Sequence, residues 1–399
     1  MDIKIKPSAL KGNIVSPPSK SYAHRNIIAA TLANKECAIK NCGNSSDVVA
    51  TINCLKAFGA DIDLIDGDAV IKGFKKQTHA LADCNESGST LRFLMPIAAA
   101  LGIKTKFTGD EKLFLRPTEK LIDALNKNGA NISDFTVNGK LFGGTILIDG
   151  SVSSQYVSGL IMALPLLKKG SKIKVVGRQA SLPYIEITKD VMQKFGITVK
   201  KKNDIYFIDG DNKYDSPSLI ETEGDFSGAA FAFSAGALGE GVTVSGLNIN
   251  TKQGDIKILD FLTEFGAQVE KKDDEITVKK KNLVGTTIDC SDTPDLAQII
   301  AVVAAFCKGT TIIKGVERLK YKESDRLSAI IKMLTAAGIK AKTDGEKIAI
   351  FGGNPHGSVF DSEFDHRTAM SCAILASFAK GESVIRNAHS VNKSYTAFY

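Results

Sequence analysis

The chain of 399 residues is notable first for what it lacks. No apolar run is long enough to cross a membrane, so no membrane partner is expected. The opening residues, Met1-Asp2-Ile3-Lys4-Ile5-Lys6, alternate as a strand does and contain no apolar signal core. Seven cysteines, an odd number, include no C-x-x-C pair. That argues against a disulfide framework or structural zinc and suits a reducing cytoplasm. Cys307 and Cys372 lie in apolar stretches and read as small buried hydrophobes. There is no metal-ligand spacing, P-loop or dinucleotide-binding glycine fingerprint; Gly352-Gly353 alone is a weak turn signal. No Lys/Arg block interleaved with aromatics occurs, so no nucleic-acid partner is expected. No Gly/Ser- or Pro-rich linker marks a domain joint.

What is present is ordinary in bulk: 43% hydrophobic, 24% charged, net charge +7. The length suffices for two domains with real cores. The modest positive charge favours small anionic ligands.

The pattern is not ordinary. Helix-like stretches ending in glycine and followed by an apolar strand recur at Gly59, Gly129, Gly196, Gly266 and Gly338. A second series, small-residue apolar helices, ends at Gly102, Gly170, Gly241, Gly309 and Gly381. Within each series neighbours are 67 to 72 residues apart. Glycine suits a helix C-terminus because it accepts the left-handed conformation. Six copies of a unit of about 70 residues follow: helix, strand, helix, strand pair. The sixth is incomplete, with its second helix expected at about 394–399, and Ile3–Ile5 is placed to close the architecture from the other end. The second-series helices, such as residues 296–307 and 370–379, are apolar on every face, which marks them as buried. The expected fold is a two-domain inside-out α/β barrel, helices inside and sheets outside, with three units per domain. Crossovers near Ser19 and residues 221–224 would give a central domain, 20–222, and a discontinuous terminal domain, 1–19 with 223–399.

Functional candidates gather where the buried helices begin. Ser16-Pro17-Pro18-Ser19-Lys20-Ser21-Tyr22-Ala23-His24-Arg25 has a proline-stiffened lead-in, Ser19 as expected N-cap, and Lys20, Ser21 and Arg25 around a helix start near Tyr22. The other starts carry Ser87-Gly88-Ser89-Thr90-Leu91-Arg92, Ser153-Ser154-Gln155, Glu223-Gly224-Asp225, Pro294-Asp295 and Asp365-His366-Arg367. Some of the Ser and Asp are plain caps, but capping does not account for Lys, Arg, His and Gln. Helix N-termini offer unpaired N–H groups and a positive dipole end, so added cations make anion sites. Arg116-Pro117 opens another helix, and the densest charged run, residues 318–326, lies between an apolar strand and a helix. Lys393 sits in the equivalent loop of the last unit. His79, His356 and His389 read as surface residues.

These motifs together resemble the 5-enolpyruvylshikimate-3-phosphate synthases, one branch of the enolpyruvyl transferases. The resemblance rests on P-x-S-K-S-x-x-x-R at 17–25, G-S-T-x-R at 88–92, Arg116-Pro117, S-S-Q at 153–155, S-x-P-Y at 181–184, E-G-D at 223–225, Pro294-Asp295, K-E-S-D-R at 322–326, D-H-R at 365–367, and Lys393. Each motif is weak alone; ten in order are specific. The resemblance implies a transfer from phosphoenolpyruvate to the 5-hydroxyl of shikimate 3-phosphate, with release of phosphate and no metal or organic cofactor. It implies Ser153, Ser154 and Ser181 on the shikimate phosphate. Ser21, Arg25, Gln155, Tyr184 and Asp295 would surround the ring. Gly88, Arg116, Gln155, Arg326, Arg367 and Lys393 would serve phosphoenolpyruvate, with Lys20 and Lys322 between the two ligands. Asp295 is expected as base and Glu323 as acid, since a carboxyl beside a bound anion tends to keep its proton. A monomeric, glyphosate-sensitive enzyme of aromatic amino acid (chorismate) biosynthesis is expected.

Glu86 stands where many members have Asn, and Arg318 replaces an Asn that contacts the ring in some members, so neither is given a role. A longer helix is expected after Lys393. The related transferase acting on UDP-N-acetylglucosamine carries a Cys just before its Arg-Pro; here Lys112-Leu113-Phe114-Leu115-Arg116 has none. A non-catalytic binder of phosphorylated metabolites would explain the basic helix starts but has no need of Asp295, Lys322 and Glu323.

Overall fold

The computed structural model describes residues 1–272 and 274–399. It divides into two compact units, residues 1–19 with 223–399, and residues 20–222. Six small sheets repeat one pattern. In the sheet of Thr145–Asp149, Ser171–Val176, Ile205–Ile208 and Val199–Lys202, the first two strands are parallel and the last two complete it antiparallel. Its first two strands alternate: Ile146, Ile148, Ile173 and Val175 are buried, while Leu147, Lys172 and Lys174 face out. The sixth sheet has three strands, and Ile3–Ile5 pairs antiparallel with Ser383–Arg386 in place of a hairpin.

Each unit carries three inner helices: Lys20–Ala33, Gly88–Leu101 and Ser154–Ala163 in one; Phe226–Leu238, Ala297–Ala305 and His366–Phe378 in the other. The last three pack on one another pairwise. All nine residues of Ala297–Ala305 are buried. Its Ile and Val are mediocre helix formers, so burial holds it, at roughly 1.5–3 kcal/mol per large apolar side chain. In the other unit Pro96 lies inside Gly88–Leu101 and cannot donate to the Arg92 carbonyl. Gly159 of the neighbouring inner helix fills that gap: a Cβ there would lie 2.4 Å from the Arg92 oxygen. This close crossing brings Gln155 to Arg92.

Two local expectations differ. The first inner helix starts at Lys20, two residues early, and Ser19 is buried with an Oγ that makes no hydrogen bond. It does not cap. Near the C-terminus a 3-10 helix, Ala388–Lys393, takes the place of the expected helix at 394–399. Residues 394–399 are turn and irregular structure, with Tyr395 and Phe398 packed against the core and the Phe398 ring 6.0 Å from that of Phe231.

Candidate active site

In unit 20–222, Lys20 pairs with Asp47 at 2.7 Å. One turn on, Arg25 is 2% exposed, and its partners are neutral. Nε donates to the Thr188 hydroxyl at 2.7 Å, Nη1 to the Ser21 carbonyl at 2.7 Å and Nη2 to the Tyr184 carbonyl at 3.1 Å. The guanidinium lies 4.8 Å from the Phe93 ring centroid. Burial without a carboxylate partner pulls its pKa down to about 10. A second network starts at Arg92, which donates to Gln155 Oε1 at 2.7 Å and to the Pro117 carbonyl at 2.8 Å. Gln155 in turn donates to Ser89 Oγ at 2.9 Å. Arg92 thus ties two inner-helix starts to the Arg116-Pro117 turn. Gly88 is the close-approach point: a Cβ there would lie 2.7 Å from Arg116 Nη1. Ser153 caps its helix by accepting from the Gln155 N–H at 3.2 Å, with Ser154 buried beside it. Ser181 is held in the left-handed region, φ 49°, just before Leu182–Lys194, an unusual conformation for serine.

The other unit gathers Asp295, Lys322, Glu323, Arg326, Asp365 and Arg367. The Asp295 carboxylate accepts from Arg326 Nη1 at 2.8 Å, Lys322 Nζ at 3.2 Å and Arg367 Nη2 at 3.2 Å. Arg326 is 1% exposed and also donates to Asp365 and Glu323, both at 2.7 Å. Burial alone would raise the Asp295 pKa; Arg367, Lys322 and Arg326 outweigh it and hold the carboxyl well below the usual range. Burial pulls the Lys322 ammonium down, with Asp295 opposing. For Arg326, burial lowers and the carboxylates more than restore the proton affinity. Lys393, 6% exposed, ends its 3-10 helix. Arg318 donates to the Ser291 carbonyl at 2.5 Å.

The structure therefore groups Ser21, Arg25 and Tyr184 around one network, with Lys20 on the same helix start paired to Asp47; Gly88, Arg116 and Gln155 around another; and Asp295, Lys322, Glu323, Arg326 and Arg367 in a third. Ser87, Asp225 and Asp365 do cap their helices. Sequence reasoning missed Asp47, Thr188 and Asp365 as partners of the cations, gave Arg92 no role, and overlooked Asp255. The last is a buried carboxyl that accepts from Ser227 Oγ. A signal existed for two of these. Counting back from the capping glycines 59, 129, 196, 266 and 338 by 11 to 13 residues reaches Asp47, Arg116, Tyr184, Asp255 and Arg326.

Comparison with known proteins bears on the chemistry. Residues 4–399 match the family described as EPSP synthase (3-phosphoshikimate 1-carboxyvinyltransferase). A 3-phosphoshikimate 1-carboxyvinyltransferase of Clostridium perfringens is 39% identical over 99% of this chain and 96% of its own. That of the archaeon Methanocorpusculum labreanum is 34% identical over 100% of this chain and 97% of its own. Among solved structures, EPSP synthase from Acinetobacter baumannii superposes with a TM-score of 0.82 at 23% identity, covering 100% of this chain and 96% of that one. The enolpyruvyl transferase NikO of Streptomyces tendae gives 0.75 at 17% identity, covering 98% and 94%. At those identities the two structures speak for the fold.

Proposed function

The chain belongs to the EPSP synthase family, and from that premise we propose how its residues divide the work. The reaction moves the enolpyruvyl group of phosphoenolpyruvate to the 5-hydroxyl of shikimate 3-phosphate and releases phosphate. In our reading residues 20–222 chiefly hold shikimate 3-phosphate. Ser153, Ser154 and Ser181 take its phosphate, and Ser21, Arg25, Gln155 and Tyr184 its ring side. Residues 1–19 with 223–399 chiefly serve phosphoenolpyruvate through Arg326, Arg367 and Lys393, and the family pattern also assigns Lys20, Gly88, Arg116 and Gln155 to phosphoenolpyruvate. The enzyme works as a monomer in the cytoplasm; the seven cysteines, all buried free thiols, support a reducing setting.

One observation carries the mechanism: Asp295 is bonded to three cations, Lys322, Arg326 and Arg367. In that state it is a poor base. An arriving phosphate or carboxylate competes for the same cations and raises the basicity of Asp295. Asp295 then takes the 5-hydroxyl proton while that oxygen attacks C2 of phosphoenolpyruvate. C3 receives a proton from Glu323, which must first leave Arg326 and take up a proton from solvent. In the collapse, C3 gives the proton back to Glu323, the C2–O bond to phosphate breaks, and phosphate leaves with the proton held by Asp295, its charge offset by Lys322 and, by the family pattern, Lys20.

The test is a coupled phosphate-release assay with shikimate 3-phosphate and phosphoenolpyruvate. Release that requires both substrates is expected. Release with UDP-N-acetylglucosamine in place of shikimate 3-phosphate, or no release from folded protein that binds both, overturns the reading.

A further inference from the structure

Asp255 is the buried acid that the mechanism above does not use. It sits on the 3-10 turn Gly254–Lys257, packed against the start of the inner helix Phe226–Leu238. The side chain is 3% exposed. Oδ2 accepts from the Ser227 hydroxyl, and Oδ1 is fully buried and receives no hydrogen bond. A carboxylate oxygen in that position is costly as an anion and much less so when protonated.

Its surroundings decide what that means. Asp295, Arg367 and Lys322 act on it from the ion cluster. Ser227 faces it from Phe226–Leu238, whose Asp225 carboxylate is spent capping the Ser227 and Gly228 N–H groups. The Cys290 thiol lies within its electrostatic reach, with its own pKa pushed up chiefly by burial. Lys257 on the same turn is exposed, and the following helix, Ile258–Phe265, exposes Asp260 and Glu264 while burying its apolar residues. Burial, then the Asp295 charge, raise the Asp255 pKa to about 6, against the pull of Arg367, Ser227 and Lys322.

The hydrogen-bonded cluster beside it is already balanced: Lys322, Arg326 and Arg367 against Asp295, Glu323 and Asp365. An anion that enters finds cations that are each spoken for. Extra positive charge must come from elsewhere, and the least stabilised carboxylate nearby is Asp255. We propose that Asp255 takes up a proton when phosphoenolpyruvate binds at this cluster, so that substrate and proton enter together. The inference rests on placing phosphoenolpyruvate there. It makes Asp255 a positioning residue, acting on substrate affinity through the cluster.

Calorimetric titration tests it. Phosphoenolpyruvate is added to protein saturated with the 5-deoxy analogue of shikimate 3-phosphate, which lacks the attacking hydroxyl, at pH 7.5 in two buffers of different ionisation enthalpy. The wild type is expected to take up close to one proton per ligand. Its Kd should rise about tenfold between pH 7 and 8, above the ~6 of a phosphate monoester. Asp255→Asn should bind with little uptake and a flat Kd over that range. Ser227→Ala removes the hydroxyl that favours the carboxylate, so Asp255 is partly protonated beforehand and uptake is reduced, though less than in Asp255→Asn. Tight binding by the wild type without proton uptake overturns the proposal alone, as does undiminished uptake by Asp255→Asn. No binding of phosphoenolpyruvate at all overturns both the proposal and the substrate placement beneath it.

Discussion

Two buried arginines, Arg25 and Arg326, are 2% and 1% exposed, and they are treated in opposite ways. Arg25 meets only hydroxyls, carbonyls and an aromatic face. Arg326 meets three carboxylates. Burial therefore wins at Arg25, where only Tyr184 and Tyr22 oppose it, and weakens its hold on the proton, whereas the carboxylates around Arg326 more than reverse it. The lesson is electrostatic. A network like that of Arg25 keeps positive potential in reserve for an incoming anion. A cluster like that of Arg326 is self-neutralised, so a ligand must rearrange its ion pairs to bind. Rearrangement is useful where a carboxylate has to become a base only after substrate arrives.

The largest expected effect comes from breaking the self-neutralised side at its centre. Asp295→Asn keeps shape and removes the charge. Loss of a general base slows turnover by about 10²–10⁴-fold. The KM for phosphoenolpyruvate should not rise, because the amide competes less well for Lys322, Arg326 and Arg367. Steady-state kinetics on folded variant protein decides this. A kcat within tenfold of wild type would leave Asp295 as an ion-pair anchor only.

A second effect contrasts the arginines directly. Lysine cannot reproduce the fork that reaches Asp295, Glu323 and Asp365 together. Arg326→Lys should destabilise by about 3–5 kcal/mol, the range for breaking a buried ion pair. Arg25→Lys, with neutral partners, should lose clearly less in urea titrations at pH 7. The gap should narrow in acid, and the sign follows from Asp295. Its folded pKa is depressed, so its stabilising contribution is complete above the unfolded value of about 3.9 and fades as pH falls through the folded one. A gap that stays constant down to pH 3 would mean that packing, not charge, separates the two arginines.

Much of the fold was legible in the sequence because its signals are periodic. Glycines such as Gly59 and Gly266 end helices in the left-handed conformation, as their spacing suggested. The all-apolar helices could lie only inside. What periodicity did not carry is the last element: Ala388–Lys393 is a 3-10 helix, and the residues after it pack Tyr395 and Phe398 against the core without forming a helix. At the candidate site, cations at helix starts stood out by type. Their partners did not, since Thr188 lies 163 residues from Arg25 and forms its bond through the tertiary fold. Asp255 escaped because an aspartate in a Gln-Gly-Asp turn looks like any solvated turn residue. Only its position 11 residues before Gly266, one short of the 12 by which Asp47 and Arg326 precede Gly59 and Gly338, set it apart.

The smallest effect separates a cap from a ligand. Ser153 and Ser87 both accept an N–H at an inner-helix start, from Gln155 at 3.2 Å and from Thr90 at 3.3 Å. Removing either hydroxyl should cost about 1 kcal/mol of stability. Ser87 is fully buried, and it also accepts from the Thr90 hydroxyl at 2.7 Å. Ser153 is only half-buried and has Ser154 beside it. If Ser153 also meets the shikimate phosphate, Ser153→Ala should weaken shikimate 3-phosphate binding as well, by the roughly 1.5–3 kcal/mol of a hydrogen bond to a charged group. Ser87→Ala should leave that affinity within twofold. Melting temperature and a fluorescence or calorimetric titration on the same two variants read both quantities. Equal affinities would reduce Ser153 to the cap that its geometry already makes it.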